Sequence, residues 1–237
     1  MPEPVITTTS RTATAASFDR ACARLQSLQP EHPRVYAVAA MIGQGKRRWW
    51  HVPTGLSEGR VELMYRRHAA EMINDDIAAE VVATALIHAV LGRVTALFVM
   101  SAQAWDPGRD NLWIHHDNDG GIDWAGLSDT TIRVVAGSAE AGEPGTATLP
   151  CEAAMAVWLA QRCASALIPL QSVLTRCSGL PARRFWSLVG ESVVGAATYV
   201  PDLARADSAA GARRGQLLLG AFEERGLPVR RSSCLQR

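Results

Sequence analysis

Cysteine is scarce and poorly spaced for a structural scaffold. The five cysteines, Cys22, Cys151, Cys163, Cys177 and Cys234, are odd in number and spread over 237 residues, and no two have Cys-x-x-Cys spacing. A disulfide framework of the small secreted kind has no basis here. The first four read as small apolar side chains on helices. An excess of charge is missing too: 24 Lys and Arg face 23 Asp and Glu, for a net charge of +1. No whole-molecule field draws in a nucleic-acid backbone or an anionic membrane, so nucleic acid is not an expected partner. Met1 to Ala16 has no apolar core of signal-peptide length, which makes the cytoplasm the expected location. The sequence also lacks Gly-x-Gly-x-x-Gly, a P-loop, His-Glu-x-x-His and a Gly-x-Ser-x-Gly elbow. Nucleotide binding, zinc-protease and serine-hydrolase chemistry therefore find no support. No internal repeat is visible.

What is present is apolar periodicity. A chain of this length buries roughly 70% of the surface its unfolded form exposes, enough for one large core. Residues 1–13 read as an unstructured tail. Phe18, Cys22, Leu25 and Leu28 then recur at helical spacing, predicting a helix from Thr14 to Gln29 that Pro30 and Pro33 end. Val35 to Ile42 is a short apolar run, followed by a loop-like Gly43 to His51. Arg60 to Met100 is helical with a break at Asn74-Asp75-Asp76, where carboxylates cap the second helix. Ile77 to Met100 is apolar enough for a membrane span, yet it carries Glu80, His88 and Arg93. Those groups are costly in hydrocarbon, so a buried core helix kinked at Gly92 is expected and no integral membrane segment.

From Trp105 the period changes. Leu112 to His116, the turn Asp117-Asn-Asp-Gly-Gly121 and Ile122 to Trp124 predict a hairpin, with a third strand over Thr131 to Val135. A Gly/Ala/Glu linker, Gly137 to Thr148, leads to helices over 151–166, a short piece after Pro169, 182–199 and 208–225. The fold expected is α+β and predominantly α-helical: a helical bundle with a small antiparallel β-hairpin or sheet in mid-chain. It divides into a helical part 14–103, a β segment 110–136, a helical part 150–226 and a basic tail 227–237.

Two clusters invite a site. His115-His116-Asp117-Asn118-Asp119 has metal-ligand donors, but neighbouring strand residues point to opposite faces and the Asp-Asn-Asp-Gly-Gly run is hairpin-turn chemistry. A structural role is the better reading. Lys46-Arg47-Arg48-Trp49-Trp50-His51 joins three cations to two aromatic rings and could hold an anionic or aromatic ligand by charge and stacking, or a single strand of nucleic acid by the same means. Its plainer reading is an exposed basic loop with partly packed tryptophans.

The last third carries a further pattern. Leu167-Ile-Pro-Leu170 closes a helix; Arg184-Phe-Trp-Ser-Leu-Val-Gly-Glu-Ser-Val-Val-Gly195 follows; Leu217 to Phe222 then leads into Leu227-Pro-Val-Arg-Arg-Ser-Ser-Cys234. In order and spacing this resembles the FhuF-like ferric-siderophore reductases, well over 150–237 and in outline over 60–135, and implies a single domain over 14–237. In that family an Arg-Arg-Ser/Thr lead-in precedes two adjacent cysteines, a spacer of about ten residues and Cys-x-x-Cys, four thiolates that hold a [2Fe–2S] cluster. The resemblance implies an oxidoreductase that passes an electron to a bound Fe(III)–siderophore and releases iron in the cytoplasm. It places Cys234, with Ser233 in the other paired position, as cluster and metal ligands. It also places Arg230 and Arg231 near the cluster or an anionic siderophore, where their plainer reading is a solvated basic tail, and it makes Trp186 a substrate-side candidate whose plainer reading is helix packing. The sequence departs from the pattern where the cluster is made: serine is a harder and less readily ionised ligand than thiolate, and the Cys-x-x-Cys half is absent after Cys234. Three explanations stay open: a binding or scaffold protein that has lost the cluster, ligands from a second subunit as in a homodimer or from other cysteines, or a truncated chain. The siderophore and the electron donor are not named by any residue.

Overall fold

The computed structural model describes residues 9–42, 44, 48–117 and 120–230. Its centre is the apolar run from Asp75 to Ser101. Asn74 stands in extended backbone before it, and its side-chain oxygen accepts from the N–H groups of Asp76 (2.8 Å) and Ile77 (3.3 Å). The cap at the expected break is thus the amide rather than the carboxylates, which instead place negative charge at the first turn. α4 (Asp75–Ile87) passes into α5 (Arg93–Ser101) through a single π turn, His88–Gly92, where a kink was expected. The turn requires Gly92, because a Cβ there would lie 2.2 Å from Nδ1 of His88. Inserting a residue disrupts the i to i−4 ladder, and the carbonyl of His88 accepts from Nη1 of Arg93 (3.4 Å). Nη2 of Arg93 donates to the Asp123 carbonyl (3.1 Å), so this fully buried guanidinium ties the helix to the sheet. Glu80 and His88 are partnered as well, by Arg184 and by the carbonyl of Val35. Among the described residues, Asp75–Ser101 and Glu152–Ser178 are long and apolar enough to cross a bilayer, and most of the first is buried inside the protein.

α1 (Thr9–Gln26) begins inside the stretch expected to be an unstructured tail and ends earlier than Gln29. No Pro or Gly falls between Thr9 and Gln26, so nothing stops the helix from extending toward the N-terminus. After a 3₁₀ turn at Pro33–Tyr36 comes β1 (Val38–Ala40). The Trp-Trp-His run expected in a loop is instead β2 (Trp49–His51), since aromatic residues favour the half-buried surface of a sheet. Two helices follow, α2 (Val52–Ser57) and α3 (Arg60–Glu71). The expected hairpin is present as β3 (Leu112–His116) and β4 (Ile122–Leu127), with a bulge between His115 and His116. It lies inside a four-stranded sheet of order β1-β4-β3-β2, which is mixed because β1 runs parallel to β4. The expected third strand, β5 (Ile132–Val135), does not join the hairpin. It pairs in parallel with β6 (Thr146–Leu149), which occupies the end of the segment read as a linker.

The rest is helical. α6 (Glu152–Ser178) runs through Pro169 without a break, where two pieces were expected. Proline removes one hydrogen bond of the ladder, but α6 is packed on α3, α4 and α8, and Leu167 and Leu170 on either side are fully buried. α7 (Ala182–Leu203) and α8 (Ser208–Glu224) pack on each other and against α5, and α8 also lies on α6. One apolar core threads all these helices and one face of the sheet. The architecture is α+β and predominantly helical.

Candidate functional site

The closing motif is first of all a packing motif. On α7, Phe185, Trp186, Val189 and Val193 all face the core. Trp186, expected beside a ligand, is 4% exposed and packs edge-on against Phe185 (5.8 Å between centroids) and tilted against Phe222 (6.4 Å). It is a core residue: its ring fills the space between α7 and α8. Arg184 binds both carboxylate oxygens of Glu80 on α4, at 2.6 and 2.7 Å, and also Glu191 at 2.9 Å. These hydrogen bonds hold the Glu80 carboxyl below its usual range and push the guanidinium's up.

Gly190 gives the motif its geometric purpose. A Cβ at this position would lie 1.8 Å from the carbonyl oxygen of Val229, so the chain beyond α8 returns onto α7 in direct backbone contact. Val229 is buried there, and the turn is closed by Leu227 N–H to Phe222 O (3.1 Å) and Val229 N–H to Leu227 O (2.9 Å). Beside this contact opens a groove of about 450 Å³ lined by Ser187, Gly190, Glu191, Val194, Gly195, Gln216, Leu219, Val229 and Arg230. A second hollow of about 290 Å³ shares Val194, Gln216 and Leu219 and continues it along α7 and α8. Both helices contribute small residues on this side, which is why the groove is open.

Arg230 stands at one end of the groove. Its guanidinium is bonded to the Glu223 carboxylate and donates to Oε1 of Gln216 (2.8 Å). The cation expected at a ligand is therefore at a cavity but already engaged on α8. Arg231, Ser233 and Cys234 lie outside the described residues.

The other four cysteines sit in different surroundings. Cys163 is completely buried and Cys22 nearly so; burial pushes the Cys22 thiol up to about 12 and that of Cys163 well above its ordinary value. The same effect raises Cys177, whose thiol contacts the Leu174 carbonyl at 3.4 Å, while Cys151 is exposed before α6. Among the described residues no three His, Cys, Asp or Glu side chains converge where a metal ion could sit. Ser233 and Cys234, the positions the resemblance assigns to a cluster, are not among them.

His115 and His116 diverge, as strand alternation requires. Nδ1 of His115 bonds Oδ1 of Asp123 (2.7 Å) and its ring leans on Trp49, whereas Nδ1 of His116 bonds the Gly120 carbonyl (3.1 Å) and its ring leans on Trp50. They do not share a metal. In the Lys46–His51 cluster, Lys46 and Arg47 fall outside the described residues, while Arg48 and Trp50 line a small pocket with residues of α3 and β3. Sequence reasoning missed Glu191, Gln216 and Leu219 as groove residues, as well as the partners of Arg48. The spacing of Gly190 and Gly195 in a helix was the one available sign of a close approach. Comparison with family models, curated proteins and solved structures finds no match.

Proposed function

We propose that this chain acts on Fe(III)–siderophores in the cytoplasm, binding the ferric chelate in the groove between α7 and α8. The support is the resemblance of residues 150–237 to the siderophore reductases, taken together with one observation: Gly190 receives the backbone of Val229, so the root of the Arg-Arg-Ser-Ser-Cys tail is docked at the rim of that groove. A groove of about 450 Å³ is in the size range of small-molecule sites. Its apolar lining, Val194, Leu219 and Val229, suits the organic shell of a chelate. Arg230 offers positive charge to an anionic one once it exchanges Glu223 for the ligand. The groove supports the binding half of this reading, and no redox step is assigned to the described side chains. The reductase reading requires ligands from Cys234 and a second subunit, and an electron donor of unidentified kind.

Titration with a ferric hydroxamate and a ferric tris-catecholate, followed by tryptophan fluorescence, tests the proposal when paired with iron and acid-labile sulfide analysis of protein kept without oxygen. Saturable quenching by the ferric chelate by colourless protein is the expected result and identifies a binding protein. Brown protein with about two iron and two sulfide per chain would restore the reductase reading. Absence of saturable binding to either chelate overturns the proposal.

A further inference from the structure

On the other side of the molecule, where β2 and β3 meet α3, a pocket of about 170 Å³ is lined by Arg48, Trp50, Arg60, Leu63, Met64, Arg67, His116, Asp117 and Gly120. Its three guanidinium groups come from separate places: Arg48 from the entry to β2, Arg60 from the first turn of α3, and Arg67 from two turns later. Arg60 is shared with Glu58 (3.1 Å). Among the described residues neither Arg48 nor Arg67 has a carboxylate or hydrogen-bond partner for its side chain, although both border a cavity. Arg48 is also held in the left-handed region (φ 72°), with its carbonyl accepting from the His116 N–H (3.2 Å). The sheet thereby fixes the backbone that carries this cation.

Two buried polar atoms of the same lining also lack partners among the described residues, Nε1 of Trp50 and Nε2 of His116. Trp50 is 4% exposed. An indole N–H can only donate, and leaving one buried without an acceptor is unfavourable. The His116 tautomer follows from its other nitrogen: Nδ1 faces the Gly120 carbonyl and must carry the hydrogen, which leaves Nε2 of the neutral ring as a bare acceptor. Burial favours that neutral form. The pocket therefore offers guanidinium forks to an anion, and two residues of its lining carry an unpaired indole donor and an unpaired imidazole acceptor. Asp117 opposes an anion, but its Oδ1 accepts the Gly121 N–H (2.8 Å) at the turn.

We infer that this pocket binds the phosphate group of a small phosphorylated molecule or inorganic phosphate. Inorganic phosphate keeps at least one P–OH throughout the neutral range, and a phosphate monoester, whose second ionisation falls near pH 6, keeps its own in roughly a tenth of molecules at pH 7; that hydroxyl matches Nε2 of His116. A carboxylate or sulfate has the negative oxygens for the arginines but no hydrogen for the imidazole. At about 170 Å³ the cavity holds a head group and is smaller than the sites that enclose whole drug-sized ligands. It is separate from the groove between α7 and α8 and does not depend on the siderophore reading.

Calorimetric titration of the full chain with inorganic phosphate and with sulfate, at pH 7 and low ionic strength, tests the site. Phosphate is expected to bind saturably and sulfate at least about fivefold more weakly. The double variant Arg48→Ala/Arg67→Ala should weaken phosphate about tenfold or more. Both side chains are exposed, so the variant keeps its fold, which circular dichroism and the thermal midpoint verify. His116→Gln, which offers a carbonyl acceptor, should retain more of the preference for phosphate than His116→Leu. No saturable phosphate binding, equal affinity for sulfate, or undiminished binding in the double variant would each overturn the inference. So would a single-stranded oligonucleotide that displaces phosphate at far lower concentration, because it would identify a different ligand class.

Discussion

His88 is the residue whose chemistry is most altered by its position. Its imidazole sits at the π turn with Nε2 on the Val35 carbonyl (2.9 Å), which requires a hydrogen on Nε2 and leaves Nδ1 against Gly92. Burial first, and then the nearby Arg93 charge, lower its pKa from 6.5 to about 4. The sign follows directly: above pH 6.5 the ring is neutral in both folded and unfolded chains, whereas between 6.5 and 4 only the unfolded chain gains the proton. Stability from this group is therefore present at neutral pH and is lost as pH falls through that window. Partial exposure of the ring trims the effect to about 2 kcal/mol between pH 7 and 4. Urea unfolding at pH 7 and pH 4.5 should show the loss in the native chain and a smaller one in His88→Gln, and equal losses in the two would contradict this assignment. Glu80, His88 and Arg93, the groups expected to be costly in hydrocarbon, are accounted for in the same way, each by a partner on another element. From sequence only their cost was visible; the partners, Arg184, Val35 and Asp123, are 104, 53 and 30 residues away.

Among the elements, α7 makes the sharpest contrast, since its two motif glycines differ in surroundings. At Gly190 a side chain meets the Val229 backbone, while at Gly195 nothing lies within 4 Å of a Cβ. Gly195→Ala should therefore stabilise by about 1 kcal/mol, through helix propensity alone. Gly190→Ala makes the same local gain and loses it to overpacking of typically 1–3 kcal/mol. The net should be destabilising, with faster hydrogen exchange at the Leu227 and Val229 amides. Protection unchanged in Gly190→Ala would mean that the return of the chain onto α7 is not held by this contact. Long elements with strong periodicity were legible in the sequence: α4, α7, α8 and the β3–β4 hairpin all stand near their expected places. Short strands were not. β1, β2 and β6 span three or four residues, too few to show a period, and they exist because neighbouring strands supply hydrogen bonds. α6 was divided at Pro169 because proline's local cost is visible in sequence, while the packing of α6 on α3, α4 and α8 is not.

For the whole molecule, two hollows on separate parts of the fold carry the functional account. The groove between α7 and α8 depends on small residues and a docked chain end; the pocket at β2, β3 and α3 depends on cations from three positions. The sequence singled out half of each. It named Arg230 and the Arg184–Gly195 motif but not Gln216 or Leu219, and Arg48 and Trp50 but not Arg60 or Arg67. The missing halves come from helices that the fold alone brings near.

The claim that a ferric chelate occupies the groove between α7 and α8 is met most directly by comparing the wild-type chain with Gly195→Phe in calorimetric titrations with ferric tris-catecholate. Open space at this position lets the ring enter the groove without disturbing the core. The account predicts saturable binding by the wild type, at least about tenfold weaker binding by the variant, and a thermal midpoint in the variant no lower than that of the wild type; equal affinity in the two chains would contradict it.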